Sequence, residues 1–70
     1  MDLENFYIKL GENIKRCRKE AGLTQEQLAE KADLSLDFMS KIEVNINKPG
    51  LKTIFKLAIA LDISPAEFFK

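Results

Sequence analysis

Residues 23–44 read Leu23-Thr24-Gln25-Glu26-Gln27-Leu28-Ala29-Glu30-Lys31-Ala32-Asp33-Leu34-Ser35-Leu36-Asp37-Phe38-Met39-Ser40-Lys41-Ile42-Glu43-Val44, and their spacing decides the fold. Thr24 and Gln27 stand three apart before an apolar pattern. That is a capping box, in which the Thr hydroxyl accepts from the backbone N–H of residue 27 and the Gln side chain reaches back. Leu28, Ala29 and Ala32 recur at helical spacing and give the segment a buried face. Asp33-Leu34-Ser35 breaks the pattern, and Ser35 is a second N-cap residue. Leu34 and Met39 occupy the positions of a hydrophobic staple, while Met39 and Ile42 face inward. The spacing predicts a helix over about 25–32, a tight three-residue turn, and a helix over about 36–44.

On either side of this pair the chain reads as further short helices, without linker, repeat or low-complexity run. Upstream, Leu3, Phe6, Tyr7, Leu10, Ile14, Cys17 and Ala21 form one apolar stripe at helical spacing. Gly11 interrupts it at a cost of about 1 kcal/mol against Ala, unless close packing requires it. Gly22 is a C-terminal stop. Downstream, Val44-Asn45-Ile46-Asn47-Lys48-Pro49-Gly50 reads as a loop. A fourth helix follows over about 51–61, with Leu51, Ile54, Leu57, Ala58 and Leu61 on its inner face. Ser64, Pro65 and Glu67 predict a short fifth helix opened by another capping box. Phe68 is expected to close the core. The expected architecture is an all-α, compact five-helix bundle formed by residues 1–70 as one domain.

Composition removes several kinds of chemistry. The 70 residues include no His and one Cys, Cys17. This excludes an internal disulfide, a Cys/His zinc site and His-based acid–base catalysis. No Gly-rich phosphate loop is present, the acidic residues are scattered at helix-surface spacing, and no enzyme, metal or cofactor is expected. No apolar run approaches the roughly 20 residues of a membrane span. The N-terminus lacks signal-peptide features, so a cytoplasmic location is expected. The formal net charge is zero, but its distribution is uneven. Residues 25–44 carry two basic and five acidic groups, whereas residues 45–70 carry four basic and two acidic.

Two short helices joined by a tight turn make a helix-turn-helix. Residues 23–32, Leu34-Ser35 and Lys41-Ile42-Glu43 resemble the phage-repressor (XRE) family of helix-turn-helix domains. The resemblance extends upstream through Leu10-Gly11, Ile14 and Arg18 to Gly22. Downstream it runs through Pro49, Leu51, Thr53, Leu57-Ala58 and Ala60-Leu61 to Ser64 and Glu67, covering about residues 10–69. It implies a five-helix bundle whose third helix enters the DNA major groove while the second crosses the backbone.

By the same resemblance, Gln25 is expected on a phosphate, and the start of its helix offers free N–H groups. Leu36, Asp37, Ser40 and Lys41 are expected at base edges. Asn47 and Lys48 are expected on the DNA backbone, with Lys52 and Thr53 adding phosphate contacts. Arg18 and Glu43 are expected to form a structural ion pair. Asp33 and Asn45 stand where the family often has Gly and are expected in the left-handed conformation they tolerate. The reading helix has no Arg, the residue of the commonest specific contact to guanine. Asp37 is expected to pair with Lys41, four residues on, or to accept from cytosine N4. Leu36 suits a thymine methyl.

Ile59, Ile63 and Phe69 add apolar surface beyond what a small core needs. They predict a homodimer through helices 4 and 5, presenting its reading helices to half-sites about 34 Å apart. The implied function is a sequence-specific, DNA-binding transcription regulator, a repressor or autoregulator, with double-stranded DNA as partner and no small-molecule ligand. The acidic middle segment and Asp37 favour an alternative, a protein-interaction module such as an antitoxin.

Overall fold

The structure is a computed structural model describing all 70 residues. It is entirely helical: α1 (Leu3–Glu20), α2 (Gln25–Lys31), α3 (Leu36–Glu43), α4 (Leu51–Leu61) and a 3₁₀ turn (Pro65–Phe69). The fifth element is therefore a 3₁₀ turn and not an α-helix.

The caps at the start of α2 and α3 form as the sequence predicts. The Thr24 hydroxyl accepts from Gln27 N at 3.0 Å, and Thr24 N donates to Gln27 Oε1 at 2.9 Å. The Ser35 hydroxyl accepts from Phe38 N at 3.1 Å. Ala32 and Val44, expected as the last helical residues, are the C-caps of α2 and α3. Beyond them Asp33 and Asn45 take φ of 57° and 63°. Asp62 does the same at the end of α4, with φ 55°, which no sequence signal flagged. The second capping box does not form. In the tighter 3₁₀ winding, Glu67 N bonds the Ser64 carbonyl at 3.0 Å, leaving the Ser64 hydroxyl to Ala66 N. The Glu67 carboxylate pairs with Lys70 instead.

Ile14, Leu28, Met39, Ile42, Leu57 and Phe68 are fully buried and form the centre of the core. Phe68 closes it from below, as expected. The α1 stripe buries from Leu10 onward, whereas Leu3, Phe6 and Ala21 are exposed. An 18-residue helix is about 27 Å long, more than the 23 and 20 Å of the domain's shorter axes, so the ends of α1 overhang the core. Leu51, expected on the inner face of α4, is 85% exposed. It stands in the first turn at the edge of the buried arc, beyond the reach of Ile54, Leu57, Ala58 and Leu61.

Two close contacts set the frame around the helix pair. A Cβ built on Gly11 would lie 2.8 Å from the Ile42 carbonyl oxygen, so α1 and α3 meet backbone to backbone. This is the packing need that keeps Gly inside a helix. Separately, α1 holds the terminal turn: the Asn13 side-chain amide donates to the Phe68 and Lys70 carbonyls, both at 2.9 Å. Arg16 Nη2 donates to the Glu67 carbonyl at 3.0 Å.

Candidate nucleic-acid interface

Helix α3 is held from below and open above. Its inner residues Met39, Ile42 and Glu43 are buried against α2 and α1. Leu36 and Asp37, in the first turn, are exposed, Leu36 by 46%. Ser40 and Lys41, one turn on, are half-buried. The expected base-facing residues thus lie outside the core.

These residues also interact among themselves. Lys41 Nζ lies 2.9 Å from Asp37 Oδ2, the i,i+4 pair expected from their spacing. Asp37 is exposed and the Lys41 side chain reaches solvent, so the pair is worth a few tenths of a kcal/mol. Electrostatically, it neutralises the only cation of α3. The Ser40 hydroxyl donates back to the Asp37 carbonyl at 3.0 Å, leaving its lone pairs as free acceptors.

The loop after α3 is pinned to α1. Asn45 Nδ2 donates to Glu4 Oε1 at 3.2 Å. Lys48 Nζ sits 5.4 Å from the Tyr7 ring centroid, a cation–π arrangement that orients the ammonium without neutralising it. Asn47 is half-buried and its backbone N–H bonds the Lys41 carbonyl at 3.1 Å. Lys52 is exposed and Thr53 half-buried, both in the first turn of α4. Neither Lys48 nor Lys52 is in an ion pair.

Arg18 and Glu43 lie beneath the pair. Arg18 Nε and Nη2 donate to Glu43 Oε2 and Oε1 at 2.6 and 3.0 Å, a two-pronged contact with both residues buried. Arg18 Nη1 donates to the Leu23 carbonyl at 2.8 Å, tying the network to the residue before the α2 cap. A fourth bond was not legible in the sequence: Gln25 Nε2 donates to Glu43 Oε1 at 3.0 Å. Cys17, next to Arg18 in α1, is also buried, and burial pushes its thiol up from the ordinary range and keeps it protonated.

The residues expected at a dimer contact differ in setting. Ile59 is 65% exposed. Ile63 is half-buried and packed against the core. Phe69 is partly covered by Phe6, with ring centroids 6.0 Å apart and nearly parallel. Sequence reasoning missed Phe55, which is 61% exposed. It forms an open stripe on α4 with Leu51 and Ile59, each four residues from the next. The i,i+4 recurrence was readable, but the adjacent inner face absorbed Leu51.

Four α-helices, a capped tight turn and an outward-facing third helix define a helix-turn-helix domain. A family model described as Helix-turn-helix matches residues 14–68, and the chain belongs to that family. It is similar to the immunity repressor protein of Bacillus phage phi105, with 48% identity over 56 residues, 80% of this chain and 39% of that protein. It is also similar to the HTH-type transcriptional regulator SinR of Bacillus subtilis, at 38% identity, covering 79% of this chain and 50% of SinR. The chain thus spans half or less of the length of these two curated relatives. Among solved structures it resembles the restriction-modification controller protein C.AhdI from Aeromonas hydrophila. The TM-score is 0.87 at 36% identity, over 90% of this chain and 96% of that one.

Proposed function

We propose that residues 1–70 form one DNA-binding domain of a transcription regulator, with α3 in the major groove and α2 across the backbone. The observation that carries this reading is the outward face of α3. Leu36, Asp37, Ser40 and Lys41 stand clear of the core on a helix whose inner face is anchored by Met39, Ile42 and Glu43. Such a helix fits the groove, and base edges there offer a donor and acceptor code. Gln25, Asn47, Lys48, Lys52 and Thr53 are the proposed backbone contacts, with Lys48 and Lys52 free of ion pairs. The relatives named as repressors and regulators support the same role, exerted on DNA in the cytoplasm.

A two-fold homodimer accompanies this reading. The stripe of Leu51, Phe55 and Ile59 is its centre, and burying it would remove three large apolar side chains from water. Phe69, against Phe6, is proposed at its edge, and Ile63 behind it.

The Asp37–Lys41 pair favours a second reading, in which the pair faces a protein partner, because it leaves α3 without free positive charge. One experiment separates the two. The protein is titrated into a pool of random-sequence duplexes at two salt concentrations and the bound fraction is sequenced. Enrichment of a palindrome-like site, with affinity falling steeply as salt rises, is the expected result. Absence of enrichment and of binding at low salt overturns it in favour of a protein partner. On the enriched site, Asp37→Asn is expected to bind about two- to fivefold tighter, because Lys41 is released and a carboxylate removed. Unchanged or weaker binding would instead mean that Asp37 accepts from a base.

A further inference from the structure

The buried ion pair beneath α3 also reaches the surface residue proposed to grip DNA. Glu43 Oε1 accepts two hydrogen bonds, from Arg18 Nη2 and from Gln25 Nε2, both at 3.0 Å. The Glu43 carboxylate is buried and cannot rotate away, because its other oxygen is held by Arg18 Nε at 2.6 Å. An ionised carboxylate only accepts, so the Gln25 amide must turn its nitrogen, not its oxygen, toward it. This decides the orientation of a group that would otherwise flip freely. It also leaves Gln25 with one unengaged side-chain N–H, on a residue that remains half-exposed.

We propose that Glu43 is a positioning residue for DNA binding: it holds the Gln25 amide so that its second N–H is presented to a phosphate. The proposal rests on the DNA-binding reading above and goes beyond it. It makes the Arg18–Glu43 pair part of the interface, coupling the grip of α2 on the backbone to the end of α3. The ordering of a flexible amide before DNA arrives lowers what binding must supply.

The test is a double-mutant cycle on the duplex enriched by selection, with affinity measured against salt. In the parent background, Gln25→Ala is expected to weaken binding about tenfold with the salt slope unchanged, because a neutral amide releases no counterion. The second background is Arg18→Met with Glu43→Leu, which replaces the buried pair by apolar side chains of similar volume, a change that folds commonly tolerate. There the parent affinity is already reduced, and Gln25→Ala is expected to cost less than about twofold further. Equal losses in both backgrounds would show that Gln25 acts without Glu43 and overturn the proposal while leaving DNA binding intact. A parent that binds no DNA at low salt overturns both.

A measurement without substitutions covers the case in which the second background does not fold. In the free parent protein, the Gln25 side-chain amide is expected to show an NMR order parameter close to the rigid-backbone value of about 0.85. A value below about 0.6 means that Glu43 does not hold it, and refutes the positioning role.

Discussion

At the scale of single residues, the informative ones are those that break a local rule. Gly11 lies within an 18-residue helix, where Ala would be favoured by about 1 kcal/mol. Its neighbour is a backbone carbonyl at 2.8 Å from the position of a Cβ, and backbone cannot yield as a flexible side chain does. Gly11→Ala is therefore expected to destabilise, by about 1–2 kcal/mol net, despite its better helix propensity. Urea unfolding with an unchanged m-value would measure it, and a stabilised variant would contradict the close approach. Asp33, Asn45 and Asp62 adopt left-handed conformations that few side chains other than Asn and Asp accept. Arg18 and Glu43 pair in two-pronged fashion, and a third N–H of the guanidinium, on Nη1, reaches the Leu23 carbonyl.

At the scale of elements, what could be read in the sequence follows the range of the forces involved. The boundaries of α2 and α3 depend on caps that act over three residues. Thr24, Gln27 and Ser35 therefore located them to within one residue. The short terminal turn was legible but its winding was not, because Glu67 suits either a capping box or a 3₁₀ turn, and only packing decides. That packing is long-range: Asn13, 55 residues earlier in the chain, supplies both amide hydrogens to the carbonyls of the turn. No local pattern marks Asn13 as a clamp, and on the helical wheel it reads as a polar intrusion beside Ile14. Asn13→Ala is expected to cost about 1–3 kcal/mol by leaving the Phe68 carbonyl without its partner. Its signature would be amide exchange accelerated in residues 66–69 before the rest of the domain, and uniform exchange would count against a local clamp. The candidate interface was legible where it is local, as in the Asp37–Lys41 pair. It was hidden where it joins elements, as in Gln25 to Glu43 and Lys48 to Tyr7.

At the scale of the whole molecule, one side of the surface carries a row of large apolar side chains. Leu51, Phe55 and Ile59 share one side of α4 and no part of the chain covers them. Under the dimer proposal, Phe55→Lys is expected to hold the mass at 8.0 kDa in sedimentation equilibrium, where the parent rises toward twice that value with concentration. Because Phe55 is exposed in the single chain, its replacement should change monomer stability by less than about 0.5 kcal/mol. A parent that stays monomeric at all concentrations would sink the dimer. The contact between Gly11 and Ile42 has a further consequence at this scale. With no side chain between the two backbones, α3 has no cushion on which to tilt, so its axis is inherited from α1. Under the DNA-binding proposal, a lineage of such domains in search of a new operator would change it by exchanging the side chains at positions 36, 37, 40 and 41, as a key is recut without altering its shank.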